Sequence, residues 1–191
     1  MTTRLPNRGK AKPAGDPGQK ATPASGSPIF SEMSRADALK LLRSNAIGRI
    51  AYSLHDRVEV QPIFYVSDGR WLYVRTSPGF KLSVLTRNRW LALQTDEVDS
   101  MFSWRSVLVH GTVYVLSPDA TPDLARRYSR AVRKIRELLP ATLTADDPVG
   151  FRSVFLGIHI DTVTGRQAQE SSSRGGRVRG RTGTSRRSSS G

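Results

Sequence analysis

Residues 71–85, WLYVRTSPGFKLSVL, decide how the rest of the chain is read. Trp71, Leu72, Tyr73 and Val74 are aromatic, β-branched or aliphatic without a break, the composition of a buried strand. Arg75, Thr76 and Ser77 follow, then a Pro78-Gly79 turn signal. Lys81 falls in the first turn of a short amphipathic helix carrying Leu82 and Leu85. The segment therefore predicts strand, turn and helix, with a guanidinium, two hydroxyls, an ammonium and free helix-start N–H groups converging at the turn. A phosphate monoester is bound by that set of donors and positive charge. Arg and Lys flanking a loop are also what an ordinary solvated turn shows, so the segment by itself leaves both readings open.

Upstream, Ser34 with Asp37 three residues later resembles a capping box for a helix ending near Ser44-Asn45. Residues 46–54 alternate as a strand, His55-Asp56-Arg57 turn the chain, and residues 58–66 return it. The Asp68-Gly69 pair then marks a hairpin into the strand at Trp71. Pro62 has no N–H to give a ladder, so it marks an edge, a bulge or a place where something other than a strand approaches.

Downstream, residues 89–98 and 104–116 read as strands separated by a loop at 99–103, with a bend or bulge at Gly111. A long helix begins at Thr121-Pro122-Asp123, carries Leu124, Tyr128, Val132, Ile135 and Leu139 on one face, and stops at Pro140. Its other face holds Arg126, Arg127, Arg130, Arg133, Lys134 and Arg136. Without interleaved aromatics or a recognition motif this is read as a solvated face. Residues 151–165 form the last strand. Six strands joined mostly by tight turns predict an α+β, mainly β domain, a six-stranded antiparallel barrel with helices at its ends and side.

Composition sets the limits of that domain. Residues 1–28 and 166–191 are rich in Pro, Gly, Ser and Arg or Lys with almost no large apolar side chain, so they are expected to be disordered tails around a domain over 29–165. Of the formal charge of +14, the tails carry +4 and +6 and the middle +4. The high pI is thus mostly a property of the tails, which leaves two readings open: weak, salt-dependent attraction to nucleic acid or anionic surfaces, and a solvated solubility tail. The chain has no cysteine, which excludes disulfides, thiolate nucleophiles and zinc–thiolate sites. It has neither a membrane-length apolar run nor a signal-peptide core, so a cytoplasmic location without membrane contact is expected. His55, His110 and His159 lack metal-ligand spacing, and His159 with Asp161 reads as a pair on one strand face rather than a metal site. Asp96, Glu97 and Asp99 read as a loop-face charge cluster. No nucleophile elbow, Walker loop or dinucleotide fingerprint occurs. Any redox chemistry must then come from a cofactor.

Three segments, LLRSNAIGRIAY, QPIFYVSDGRWLYVRTSPGFKLSVL and WRSVLVHGTVYVL, in this order and spacing resemble the pyridoxamine 5'-phosphate oxidase-like split β-barrel flavoproteins, closest to their nitroimidazole-resistance-like branch. The resemblance covers residues 32–118, with 151–163 fitting the final strand. It implies a homodimer with flavin at the interface. Arg75, Thr76, Ser77 and Lys81 would hold the FMN phosphate, and Pro62, Ile63, Phe64 and Tyr65 the ring edge. Trp104, Arg105 and Ser106 would come from the partner subunit. Where that branch often carries a histidine this chain has Arg75, which cannot act as the same proton donor, and some relatives use the deazaflavin F420 instead. The expected function is an FMN-binding oxidoreductase acting on a small electron-poor organic molecule. The alternatives are an F420-dependent reductase, a non-catalytic flavin-binding protein and a nucleic-acid-associated protein acting through its tails.

Overall fold

A computed structural model describes residues 27–55 and 57–170. In chain order the elements are β1 (Ile29–Glu32), α1 (Arg35–Ser44), β2 (Ile47–Leu54), β3 (Arg57–Asp68), β4 (Trp71–Thr76), α2 (Phe80–Arg87), β5 (Trp90–Ser100), β6 (Ser103–Leu116), α3 (Pro122–Leu138) and β7 (Val154–Gln169). Every strand pairing is antiparallel. The sheet runs β1-β7-β4-β3-β2-β5-β6, and β6 pairs back onto β7. Six strands therefore close a ring, the split β-barrel that the sequence predicts. The tails expected over 1–28 and 166–191 lie, apart from residues 27–28 and 166–170, outside the described residues.

Three boundaries differ from the sequence reading. A seventh strand, β1, pairs along the far end of β7, from Ile29 opposite Gln169 to Glu32 opposite Arg166. β7 accordingly begins at Val154 rather than 151 and continues to Gln169, because β1 and β6 both offer it hydrogen-bonding partners beyond Gly165. The loop between β5 and β6 shrinks to Met101 and Phe102. The irregularity at Gly111 is real, but the extra residue is on β7: His110 faces Thr162 while Gly111 faces Ile160. There the backbones approach so closely that a Cβ on Gly111 would lie 2.5 Å from the His159 carbonyl oxygen.

The strand period of two sorts the apolar residues into two cores. Leu72 and Val74 of β4 point into the barrel with Ile50, Leu93, Val107, Leu156 and Ile158. α1 adds Ala38, Leu41 and Leu42 to that core. Ser34 caps the helix, its side chain accepting from the Asp37 N–H at 3.1 Å. Tyr73 points the other way, joining Leu116 and Phe155 beneath Ala131 and Ile135 of α3. α3 is further tied down by Arg130, which pairs with Asp68 at the β3–β4 hairpin, and by Arg127, 3.9 Å over the Trp71 ring. Several cations on the face read as solvated thus have protein partners: Asp123 takes Arg126 and Arg127, and Glu137 takes Lys134. No helix among the described residues is long and apolar enough to cross a membrane.

Candidate functional site

The turn after β4 opens onto a cleft of about 310 Å³ at the barrel rim. Thr76, Ser77 and Lys81 line it on one side, and Pro62, Ile63 and Phe64 on another. β3 pairs with β2 through Pro62, but with β4 only from Tyr65 to Asp68. Pro62 therefore sits where the strand has lost one neighbour, so the missing donor leaves no gap in a ladder and the strand edge faces the cleft. Gly79, at φ 148° and ψ −167°, makes the turn in a conformation other residues rarely adopt. Among the described residues no side chain caps α2, so its first-turn N–H groups are left without a side-chain partner, and the same turn carries Lys81 to the cleft.

Arg75 does not present itself as the sequence suggests. Following Tyr73 to the outer side of β4, it is buried under the segment between α3 and β7. Its Nη1 lies 2.7 Å from the Asp147 carboxylate, with the two side chains only 6% and 4% exposed, and its Nε donates to the Arg152 carbonyl. Asp147 in turn accepts from the N–H groups of Leu143 at 2.8 Å and Val149 at 3.1 Å. Those contacts, the Leu143 N–H foremost, hold its carboxyl below the usual carboxylate range. Arg75 borders the cleft, but its charge is already balanced.

The second cation of the cleft is Arg152, which sequence reasoning missed together with Phe151 and Ile47. The local pattern placed 151–153 inside a strand. The signal is topological: Thr76 pairs with Val154, so the chain entering β7 runs beside the chain leaving β4, and Arg152 is brought to Lys81. Burial, and then the nearby Arg152 charge, push the Lys81 ammonium below its ordinary value. Among the described residues no acidic side chain lines the cleft. Two cations are thus held together without a counter-charge, beside two hydroxyls and free backbone donors, an arrangement suited to a phosphate.

The remaining expected residues are placed elsewhere. Tyr65 is fully buried and its hydroxyl donates to the Leu42 carbonyl at 2.9 Å, so its phenol belongs to the core and is not at the cleft. Burial pushes that phenol up to about 12. Trp104 and Arg105 line a different cleft with Asp37, Lys40 and Glu97; Arg105 pairs with Glu97, and Ser106 accepts from Gln94 at 3.1 Å. Within one chain these three do not reach Lys81. His159 meets Asp161 at 2.7 Å, and Thr112 donates to that carboxylate at 2.8 Å. Among the described residues no group of three or more metal-ligating side chains converges.

The fold is a closed antiparallel split barrel with a cationic cleft at its rim. The family model described as pyridoxamine 5'-phosphate oxidase matches residues 34–167, and the chain belongs to that family. An FAD-binding protein of Mesorhizobium loti is 27% identical, with a TM-score of 0.57 over 75% of this chain and 100% of that one. A nitroimidazole-resistance-like protein of Bacteroides thetaiotaomicron, 17% identical, shares the fold with a TM-score of 0.55 over 75% of this chain and 93% of that one. The uncharacterized protein RA0666 of Rhizobium meliloti is 32% identical over 79 residues, 41% of this chain and 52% of that one. The chain thus spans about half the length of that relative.

Proposed function

We propose that the chain is a flavin-binding oxidoreductase that works as a homodimer and takes FMN, with its phosphate at Thr76, Ser77, Lys81 and Arg152. The observation that carries this reading is the pair of cations in the cleft without an acid between them. Membership of the family and the 27% identical FAD-binding relative support a flavin as the phosphate's bearer. When bound, that group would supply hydride or electron transfer to a small electron-poor organic molecule.

This chain's own part is binding and orientation. Lys81, Arg152 and the α2 N–H groups neutralise the phosphate. Phe64 and Ile47, directly opposite each other on β3 and β2, offer an exposed apolar platform beside the cleft. The same outer face continues through Pro62, Val60 and Val58, an exposed apolar row of the kind a second subunit covers. A partner seated there would bring Trp104, Arg105 and Ser106 from its own barrel.

The test is the spectrum and mass of the small molecule released on denaturing the purified protein. FMN is expected; FAD would correct the cofactor while keeping the flavin reading, and F420 would replace it with the deazaflavin one. Sedimentation of the purified protein as a monomer at micromolar concentration would remove the dimer. If no cofactor is released, and none is bound on adding FMN, FAD or F420, the reading fails.

A further inference from the structure

The segment 139–153 carries Arg152 to the phosphate cleft without a strand to guide it. Its backbone hydrogen bonds are local: the N–H groups of Thr142, Thr144, Asp147, Gly150 and Arg152 each donate to the carbonyl three residues back. The ladder with β4 begins only at Val154, opposite Thr76. A run of turns bonded only to itself does not fix where its far end lies. Arg136 of α3 anchors the near end, donating to the Thr142 carbonyl at 3.1 Å.

The far end is fixed by Arg75. This side chain leaves β4 one residue before Thr76, and its guanidinium reaches two points of the segment: the Asp147 carboxylate through Nη1, and the carbonyl of Arg152 itself through Nε. Phe155 of β7 holds the same guanidinium from another side, with its ring centroid 5.5 Å away. Asp147 passes the constraint on, accepting from the N–H groups of Leu143 and Val149 on either side of it. One buried cation of the sheet thus pins both the turn and the residue that the turn delivers. The pin has something to oppose, because Lys81 and Arg152 repel each other in the empty cleft.

We infer that Arg75 is a positioning residue for the phosphate: paired with Asp147, it holds the Arg152 backbone beside Lys81 before the ligand arrives, and does not bind the phosphate itself. The inference rests on the phosphate assignment made above. A cation on a pinned backbone binds without first losing the freedom of its segment, and the affinity gained is that avoided ordering cost. Without the pin, Arg152 meets the phosphate only after the segment has been ordered against the repulsion of Lys81.

The test uses Arg75→Gln/Asp147→Asn, which removes both charges together, so that the net charge beside the cleft is unchanged and no buried charge is left unpaired. Fluorescence titration of the full-length protein with FMN and riboflavin gives the ratio of the two affinities for the wild type, this double variant, Arg152→Ala and the triple variant. The ratio is expected to fall about five- to tenfold in the double variant, and no further than in Arg152→Ala. The triple variant should match Arg152→Ala, because Arg75 acts through Arg152 alone. A double variant that weakens FMN and riboflavin equally, or that keeps the wild-type ratio, overturns the inference and leaves the pair purely structural. A triple variant well below Arg152→Ala also overturns it, by making Arg75 a direct phosphate ligand. A wild-type ratio in Arg152→Ala instead removes Arg152 from the phosphate site, and the inference falls with that assignment. Hydrogen exchange of the ligand-free wild type needs no variant: the amides of Leu143, Val149 and Arg152 are expected to be protected and to open as one unit, and rapid exchange of all three at neutral pH would overturn the pinning.

Discussion

Replacing Lys81 and Arg152 by alanine, singly and together, probes the cleft most directly, with FMN and riboflavin as paired ligands that differ only in the phosphate. A well-desolvated charge-assisted contact to phosphate contributes about 1.5–3 kcal/mol. Lys81 is partly open to water, so screening lowers its share to about 1–2 kcal/mol, a five- to thirtyfold change in Kd. In the ligand-free protein the two ammonium and guanidinium groups repel each other, and removing either one relieves that repulsion. Each single variant therefore loses a contact and the relief that binding provides, while the double variant loses the relief only once. The double variant should weaken FMN about a hundredfold, less than the product of the two single effects. Riboflavin should be unaffected by all three.

The pH profile adds an independent readout. A bound phosphate raises the depressed ammonium of Lys81, so binding takes up a proton at alkaline pH, and FMN affinity should fall as pH rises through the Lys81 value in the free protein. Lys81→Ala should remove that alkaline limb. Fluorescence quenching titrations measure both quantities. Equal weakening of FMN and riboflavin, or no weakening of FMN in the double variant, would refute the assignment of the cleft.

Asp147→Asn should lower the urea midpoint at neutral pH and flatten part of its acid dependence: the depressed Asp147 carboxyl contributes stability above its unfolded value near 3.9, lost as pH falls through the lower folded one. Urea melts between pH 2 and 7 would show it. Gly111→Ala forces a Cβ against the His159 carbonyl and the Ile158 side chain, and should cost about 1–3 kcal/mol, read as a fall in melting temperature. A chain of residues 27–170 should melt as cooperatively as the full protein, whereas ending the chain at residue 165 removes the β1–β7 ladder and should lower the melting temperature.

The barrel was legible because its strands alternate or run apolar over six or more residues and are punctuated by Asp-Gly, Pro-Gly and the α3 capping signals. β1 was not: Ile29, Phe30, Ser31 and Glu32 are all exposed, and only the distant end of β7 makes them a strand. At the cleft, Thr76, Ser77 and Lys81 could be read because they share one turn, and Pro62 because a missing donor is visible in any sequence. Arg75 looked equivalent to Lys81. What separates them is Asp147, seventy-two residues away, whose pairing with Arg75 no local pattern announces. Arg152 was hidden for the same reason, since its nearness to Lys81 follows from how β4 and β7 are aligned.

β7 is hydrogen-bonded to β4, β6 and β1, and it belongs to the last part of the described chain to be synthesised. Until it emerges from the ribosome, the nascent chain is an unsealed sheet, with β4 and β6 each lacking a neighbour along one margin. Such margins invite pairing with other chains during translation. Closure of the barrel should therefore wait until residues 154–169 are free to pair. Premature termination before residue 154 would release a sticky fragment rather than a smaller working domain.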